Sequence, residues 1–98
     1  MPYALIARYH VIPGNAALVE ATLREMAERI RADEPACLAY QVNVDPDDEN
    51  MICLYEVYAT AEDVTAHRET QHFKDLIEGV IAPVLQRRER ELYRQVIS

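Results

Sequence analysis

The sequence predicts an α+β fold of the ferredoxin-like type, with the element order strand, helix, strand, strand, helix, strand. Two observations support this prediction. Apolar residues alternate with polar ones in some segments and recur at helical spacing in others, and the two periodicities distinguish strands from helices. Clusters of Pro, Gly, Asp and Asn separate these segments. Because the chain has 98 residues, residues 1–98 are expected to form a single domain.

The first strand is predicted over residues 3–12, where Arg8 and His10 interrupt an apolar segment at a spacing of two. The second face of this strand carries only apolar residues, namely Tyr3, Leu5, Ala7, Tyr9 and Val11. Residues 13–15, Pro-Gly-Asn, end the strand, and Asn15 is a suitable N-cap for the helix that follows.

The first helix is predicted because apolar residues recur after Asn15 at i, i+4, i+7, i+8 and i+11. The residues at these positions are Val19, Leu23, Met26, Ala27 and Ile30. The helix is expected to end at residues 33–35, Asp-Glu-Pro, since the residue before a proline avoids the helical region.

Residues 37–44 and 51–58 are predicted to form a β-hairpin around an acidic turn at residues 45–50. The first of these strands alternates cleanly, with Leu38, Tyr40, Val42 and Val44 on one face, whereas the second is apolar on both faces. A strand that is apolar on both faces needs cover on both. The predicted helices supply one cover, and a second copy of the chain is expected to supply the other.

A short helix is predicted to begin at Thr60, because Thr60 and Asp63 have the spacing of a capping box. Val64 and His67 lie three positions apart in this helix and therefore share one face. That face is expected to be the buried one, so that His67 points towards the sheet.

A second short helix is predicted after Thr70, with Gly79 and Pro83 at its end. Its buried stripe is expected to consist of Phe73, Leu76, Ile77 and Val80. The tail, residues 84–97, is ambiguous by pattern. Its Gln, Arg, Glu and Leu content favours a helix, whereas the alternation near its end is typical of a strand.

The composition is acidic, with 17 Asp and Glu against 10 Lys and Arg and a formal net charge of −7. Nucleic-acid and anionic-membrane binders carry a basic footprint, so neither partner is expected. No stretch approaches the roughly 18 apolar residues of a membrane helix, and residues 1–8 have the pattern of a strand and not of a signal peptide. Cys37 and Cys53 lie too far apart along the predicted hairpin for a disulfide, so we expect free thiols in a reducing cytoplasm.

Taken together, five stretches resemble the antibiotic biosynthesis monooxygenase family, including its small quinol monooxygenase-like members. The stretches are Arg8–Gly14 (RYHVIPG), Glu34–Tyr40 (EPACLAY), Asp45–Asp48 (DPDD), Leu54–Tyr58 (LYEVY) and Ala66–Phe73 (AHRETQHF). The resemblance implies a dimeric α+β barrel, a homodimer whose two sheets pack together, and a tail that forms a strand. One departure is Ala36, where the family usually has Gly. If that position required a positive φ, Ala would be strained there.

The same resemblance implies a cofactor-independent monooxygenase that acts on a small phenolic or hydroquinone substrate and dioxygen. An electron-rich aromatic anion reduces dioxygen directly, so the protein needs an apolar pocket, help with deprotonation and exclusion of water. We therefore expect no cofactor. Two alternatives stay open, because a fold does not determine its function. One is a non-oxidative isomerase or lyase that uses the same pocket, and the other is a small-molecule binding protein without turnover.

His67 and Glu56 are the candidate catalytic residues. Histidine is the side chain that ordinarily changes charge near neutral pH, so His67 is a candidate to accept a proton from a substrate hydroxyl. The alternative is a structural histidine that ties its helix to the sheet. Glu56 lies in mid-strand among apolar neighbours and needs a partner, for which Arg8, His67 or a substrate hydroxyl are the candidates.

Six further side chains are candidates for substrate binding, namely Tyr40, Tyr55, Tyr58, Phe73, His72 and Arg8. The tyrosines offer an aromatic wall with a hydroxyl group, although core packing explains each of them equally well. Phe73 also belongs to the predicted core stripe, and His72 has the alternative role of capping the turn. Arg8 either steers a phenolate or pairs with an acid, and we favour the acid.

No metal site is predicted. His67 and His72 lie five positions apart, which is about 140° round a continuous helix, whereas a helical pair of ligands needs a spacing of three or four residues. The chain has no Gly-rich phosphate loop and no Trp. The haem-degrading relatives rely on a pocket Trp, so its absence weighs against that activity.

Overall fold

The computed structural model describes residues 1–98 and has the predicted element order. The strands are β1 (Tyr3–Val11), β2 (Cys37–Asp45), β3 (Asp48–Tyr58) and β4 (Leu85–Arg94), and the helices are α1 (Ala16–Asp33), α2 (Ala61–Glu69) and α3 (Phe73–Ile81). The strands form one antiparallel sheet in the order β2-β3-β1-β4. The ferredoxin-like α+β class is therefore confirmed, and so is the strand in the tail.

One face of the sheet is covered by the helices and holds the core. The apolar face predicted for β1 is confirmed, since Leu5, Ala7, Tyr9 and Val11 are all buried. The stripe predicted for α1 packs on this face, and its buried members are Val19, Leu23, Met26 and Ile30. Side chains from β3 and α3 complete the main core, namely Ile52, Leu54, Ile77 and Ile81.

The other face of the sheet has no helix on it. Strand residues alternate between faces, so the residues of β3 on this open face are Met51, Cys53, Tyr55 and Val57. Val57 is buried there and the other three are half-buried. Two ion pairs between β1 and β4 lie on the same face and join Arg8 to Glu91 and His10 to Glu89.

The hairpin differs from the prediction in two details. β2 and β3 extend into the acidic segment, so that only residues 46–47 separate the strands. The pairing register also shifts between Cys37 and Ala39, which leaves Leu38 without a partner residue on β3. This bulge explains why Leu38 is 58% exposed, although the simple alternation predicted it on one face with Tyr40.

The helix ends also depart from the prediction in part. Asn15 occupies the N-cap position of α1, but its side-chain amide donates to the carbonyl of Ile12, and its side chain accepts no hydrogen bond from the helix amides. Gly79 lies inside α3, which is a π-helix that ends at Ile81, and Pro83 follows in a short 3-10 turn. The wider winding of a π-helix replaces Val80 with Ile81 as the last buried position of the stripe.

Three smaller expectations can be compared with the structure. No residue other than glycine has a positive φ, so Ala36 is not strained in that way. Gly14, with a φ of 96°, is the residue that needs glycine's freedom, at the turn after β1. Cys37 and Cys53 are free thiols, as predicted. None of the helices combines the length and the apolar character required to span a membrane.

Candidate functional site

His67 lies at the centre of a cluster of buried side chains between α2 and the sheet. One half of the capping box predicted for α2 is present, because the Thr60 hydroxyl accepts a hydrogen bond from the Asp63 amide, whereas the Asp63 carboxylate accepts from the Thr60 hydroxyl and not from the Thr60 amide. Only 3% of His67 is exposed. Three aromatic rings surround its imidazole, with centroid distances of 6.5 Å to Tyr40, 5.2 Å to Tyr58 and 5.2 Å to Phe73.

Glu34 holds the imidazole on one side. Its carboxylate oxygens lie 2.9 and 3.1 Å from Nδ1 of His67. A carboxylate can only accept a hydrogen bond, so Nδ1 of His67 donates the proton in this contact. Nε2 of His72 lies 2.5 Å from the second oxygen of the same carboxylate. One acid therefore joins two histidines.

The local sequence explains how Glu34 reaches both histidines. Pro35 ends α1, and the Glu34 amide makes the last helical hydrogen bond, to the carbonyl of Ile30 at 2.8 Å. Thr70 is extended, with φ −66° and ψ 152°, and interrupts the helix between His67 and His72. Its hydroxyl donates to the His67 carbonyl at 2.8 Å and accepts from the Phe73 amide at 3.2 Å. This break brings the two imidazoles to the same carboxylate.

Glu56 lies on the other side of His67. It is 3% exposed, and its Oε1 is 3.6 Å from Nε2 of His67. The Tyr58 hydroxyl donates to the same oxygen at 2.6 Å. Of the predicted partners of Glu56, His67 is therefore in reach, whereas Arg8 lies on the opposite face of the sheet and pairs with Glu91. His67 is thus positioned between two carboxylates.

The two carboxylates differ in their affinity for protons. Burial opposes ionisation of Glu34, but the hydrogen bonds to His67 and His72 outweigh it, so the pKa of Glu34 lies below its ordinary value. Burial raises the pKa of Glu56, and the Tyr58 hydroxyl and His67 only partly oppose this shift. Burial and the neighbouring Glu56 also raise the pKa of Tyr58 and of Tyr40. Glu34 is therefore the ionised anchor, and Glu56 is the carboxyl that more readily carries a proton.

A small cavity opens beside His67 and Glu56, between the sheet and the helices. Its volume is about 50 Å³, and four of its ten lining residues are hydrophobic. The polar part of the wall includes Arg68, Arg88 and Arg90. The predicted apolar pocket is therefore mixed in character. An outer cavity of about 360 Å³ shares Arg68, Arg90 and Phe73 with the inner one.

The predicted site residues fall into two groups. Tyr40, Tyr58, Phe73 and His72 lie with His67 and Glu56 on the helix-covered face of the sheet. Tyr55 lies on the open face, where its hydroxyl accepts from Nε2 of Gln95 at 3.3 Å. Arg8 lies on that face as well, and its ion pair with Glu91 agrees with the role we favoured for it. Neither Tyr55 nor Arg8 joins the cluster.

Glu34 is the residue that the sequence interpretation missed. It stands beside Asp33 and before a proline, where the pattern of an exposed helix end accounts for it completely. The angular argument about His67 and His72 was wrong in its premise, because it assumed one continuous helix through Thr70. The one available signal was the position of Glu34 at the start of the EPACLAY stretch.

No group of three His, Cys, Asp or Glu side chains has the arrangement of a metal site.

The fold and the site define a ferredoxin-like α+β protein with a buried glutamate–histidine cluster at the wall of a pocket. The model of one family, antibiotic biosynthesis monooxygenase, matches residues 2–79. The chain belongs to this family. No match was found among curated proteins.

Solved structures agree with this assignment. A provisionally assigned antibiotic biosynthesis monooxygenase from Caulobacter crescentus is 26% identical, with a TM-score of 0.91 over 98% of this chain and 91% of that one. A further structure, described as an antibiotic biosynthesis monooxygenase, is 27% identical, with a TM-score of 0.87 over 97% and 99% of the two chains. A provisionally assigned member from Nitrosomonas europaea shares the fold at 24% identity, with a TM-score of 0.90 over 97% and 90%.

Proposed function

We propose that the protein is a cofactor-independent monooxygenase that acts on a small phenolic or hydroquinone substrate in the pocket beside His67. The observation that carries this proposal is the position of His67, a buried imidazole between two carboxylates at the wall of a cavity. Family membership supports the reaction class. The aromatic rings of Tyr40, Tyr58 and Phe73 support an aromatic ligand.

His67 is the proposed general base. Its Nδ1 proton is engaged by Glu34, which leaves Nε2 to accept a proton on the side of Glu56 and the cavity. Ionised Glu34 stabilises the imidazolium that forms, by electrostatic attraction at 2.9 Å. The hydrogen bond to Glu34 also fixes the orientation of the ring. Glu34 is therefore a positioning residue, because it acts on the substrate only through His67.

The reaction requires no external reductant. For a hydroquinone, one molecule of substrate and one of dioxygen give one hydroxyquinone and one water. After His67 removes a hydroxyl proton, the phenolate gives an electron to dioxygen, and the radical pair combines to form a C–O bond. Breaking of the O–O bond leaves one oxygen on the ring and releases the other as water. The four electrons come from the substrate, two from diol oxidation and two from the C–H bond that is hydroxylated.

The dimensions of the site support one placement of the substrate. An apolar cavity of about 150 Å³ can bind benzene, whereas the inner cavity measures about 50 Å³. The aromatic ring therefore belongs in the outer cavity of about 360 Å³, against Phe73. Only the reacting hydroxyl and its carbon enter the inner cavity, where His67 and Glu56 lie.

Oxygen uptake by a panel of hydroquinones, measured with an oxygen electrode in the presence of a chelator, tests this proposal. We expect uptake with one water and one hydroxyquinone formed per dioxygen, by protein that shows no flavin or haem absorption. Formation of product under argon would indicate an isomerase or lyase instead. Saturable binding without any chemistry would indicate a binding protein.

We propose that the functional unit is a homodimer. The open face of the sheet carries half-buried Met51, Cys53 and Tyr55, and Tyr93 is 51% exposed on the same face. The apolar side chains of this face, which lie beside the Arg8–Glu91 and His10–Glu89 ion pairs, are stabilised when a second sheet covers them. We also propose that the protein is cytoplasmic, and the two free thiols support this location.

A further inference from the structure

Two arginines without acidic partners meet at the mouth of the proposed substrate pocket. Arg68 on α2 and Arg90 on β4 line both the inner and the outer cavity. Four other arginines of the chain are paired with glutamates, namely Arg8, Arg24, Arg87 and Arg88. Arg68 and Arg90 belong to no such pair, and they are the unpaired arginines that line these two cavities.

We infer that the ligand of this pocket is an aromatic carboxylate, whose acidic group binds between the guanidinium groups of Arg68 and Arg90. The inference rests on the proposed function and specifies its substrate class as a hydroxylated aromatic acid. A guanidinium binds a carboxylate through two parallel N–H donors, so a pair of arginines holds the anion in a defined orientation. Phe73, which lines the same two cavities, provides the contact for the ring.

The charges around the outer cavity favour one negative group. Its acidic lining residues are Glu69 and Glu78, and Glu78 is engaged by Arg88 at 2.7 Å. The outer cavity is therefore lined by one unpaired carboxylate, that of Glu69, and by two unpaired arginines. The two like charges also disfavour each other, since burial and the charge of Arg68 lower the pKa of Arg90 and the nearby Glu56 only partly opposes this shift. A bound carboxylate relieves this repulsion, whereas the presence of Glu69 disfavours a doubly charged phosphate.

The inner cavity determines the orientation of the ligand. Glu56 is buried at its wall and, as a carboxyl group, offers an anion no favourable charge, so the acidic group belongs at the arginines and not beside His67. The hydroxyl group at the other end of the ring then points towards Nε2 of His67. The arginines thereby direct the ring for proton removal, and they select acids over neutral phenols.

Calorimetry under argon with 2,5-dihydroxybenzoate and with hydroquinone tests this inference without relying on turnover. The two probes differ only by the carboxylate. We expect the acid to bind about tenfold more tightly, in line with a charge-assisted hydrogen bond. Arg68→Gln and Arg90→Gln should each weaken binding of the acid by about tenfold and leave binding of hydroquinone unchanged. Both side chains are exposed, so the melting temperature should stay at the wild-type value.

Arg94→Gln is the matched control, because Arg94 lies on the same strand and the same face of the sheet but lines neither cavity. Equal affinity for both probes would overturn the inference. So would equal weakening of both probes by Arg90→Gln, or weakening of the acid by Arg94→Gln.

Oxygen uptake with hydroquinone and none with the acid would also overturn the inference and leave the proposed function in place. Selective binding of the acid without oxygen uptake from any diol would refute the proposed function and leave the anion site in place.

Discussion

Glu34 and His67 are 33 positions apart in the chain, yet a carboxylate oxygen of Glu34 lies 2.9 Å from Nδ1 of His67. This contact joins the end of α1 to α2 across the edge of the core. It also fixes which imidazole nitrogen is free to face the pocket.

Glu34→Gln should destabilise the protein at neutral pH, because a neutral amide replaces an ionised acceptor shared by two histidines. The pKa of Glu34 is lowered in the folded state. Its contribution to stability is therefore complete above the unfolded value of about 4.3 and is lost as the pH falls through the folded value. Urea unfolding of the wild type and the variant at a series of pH values should show a difference in the free energy of unfolding at pH 7. This difference should shrink as the pH falls below about 4.3. A difference that persists unchanged in acid would contradict this account.

Glu56→Gln should stabilise the protein at neutral pH. The pKa of Glu56 is raised by burial, so ionisation costs stability as the pH rises from about 4.3 through the raised folded value. The amide oxygen of Gln still accepts the hydrogen bond of Tyr58 without carrying charge. The melting temperatures should therefore coincide in acid and separate towards neutral pH, with the variant higher. A variant that is less stable than the wild type at pH 7 would show that the ionised carboxylate is well paired.

Tyr58→Phe should destabilise the fold by about 1–3 kcal/mol, because it removes a donor and leaves the buried Glu56 carboxylate without it. Tyr55→Phe is the matched control on the same strand. The hydroxyl of Tyr55 accepts only a 3.3 Å hydrogen bond, from Gln95 on the open face. Denaturant unfolding at pH 7 should show a large effect for the first variant and a small one for the second. Equal effects would mean that the Tyr58–Glu56 contact contributes no more than an ordinary surface hydrogen bond.

Light scattering at micromolar concentration should give twice the chain mass of 11.3 kDa. Ile6→Glu places a charge in the middle of the open sheet face, opposite Tyr55, and should yield monomers. Leu18→Glu alters an exposed apolar residue on α1 and should leave the dimer intact. A wild-type protein of single-chain mass, or dissociation by both variants alike, would refute the proposed interface.

The fold could be predicted from the sequence because its signals are local. The alternation in β1 and the helical stripe of α1 depend only on residues a few positions apart. The bulge at Leu38 and the π-helix at Phe73–Ile81 were missed, since tertiary packing and not local pattern determines them.

The candidate site could be predicted only in part. His67 and Glu56 stand out because each is a polar residue on an apolar face. Glu34 has the pattern of an ordinary exposed helix end, and its role depends on a contact with a residue 33 positions away. Tyr55 has the aromatic ring and the hydroxyl group expected of a pocket residue. It nevertheless lies on the open face, because it stands between Leu54 and Glu56 in β3 and neighbouring residues of a strand point to opposite faces.

The turnover of His67→Gln decides whether His67 removes the substrate proton. Oxygen uptake and melting temperature are measured on the same preparations, at a temperature where each variant is fully folded. His10→Gln is the control, because His10 pairs with Glu89 on the open face. We predict that His67→Gln loses about 10²–10⁴-fold in rate while His10→Gln keeps the wild-type rate. A His67→Gln variant with near wild-type turnover under these conditions, together with a lowered melting temperature, would show that His67 is structural.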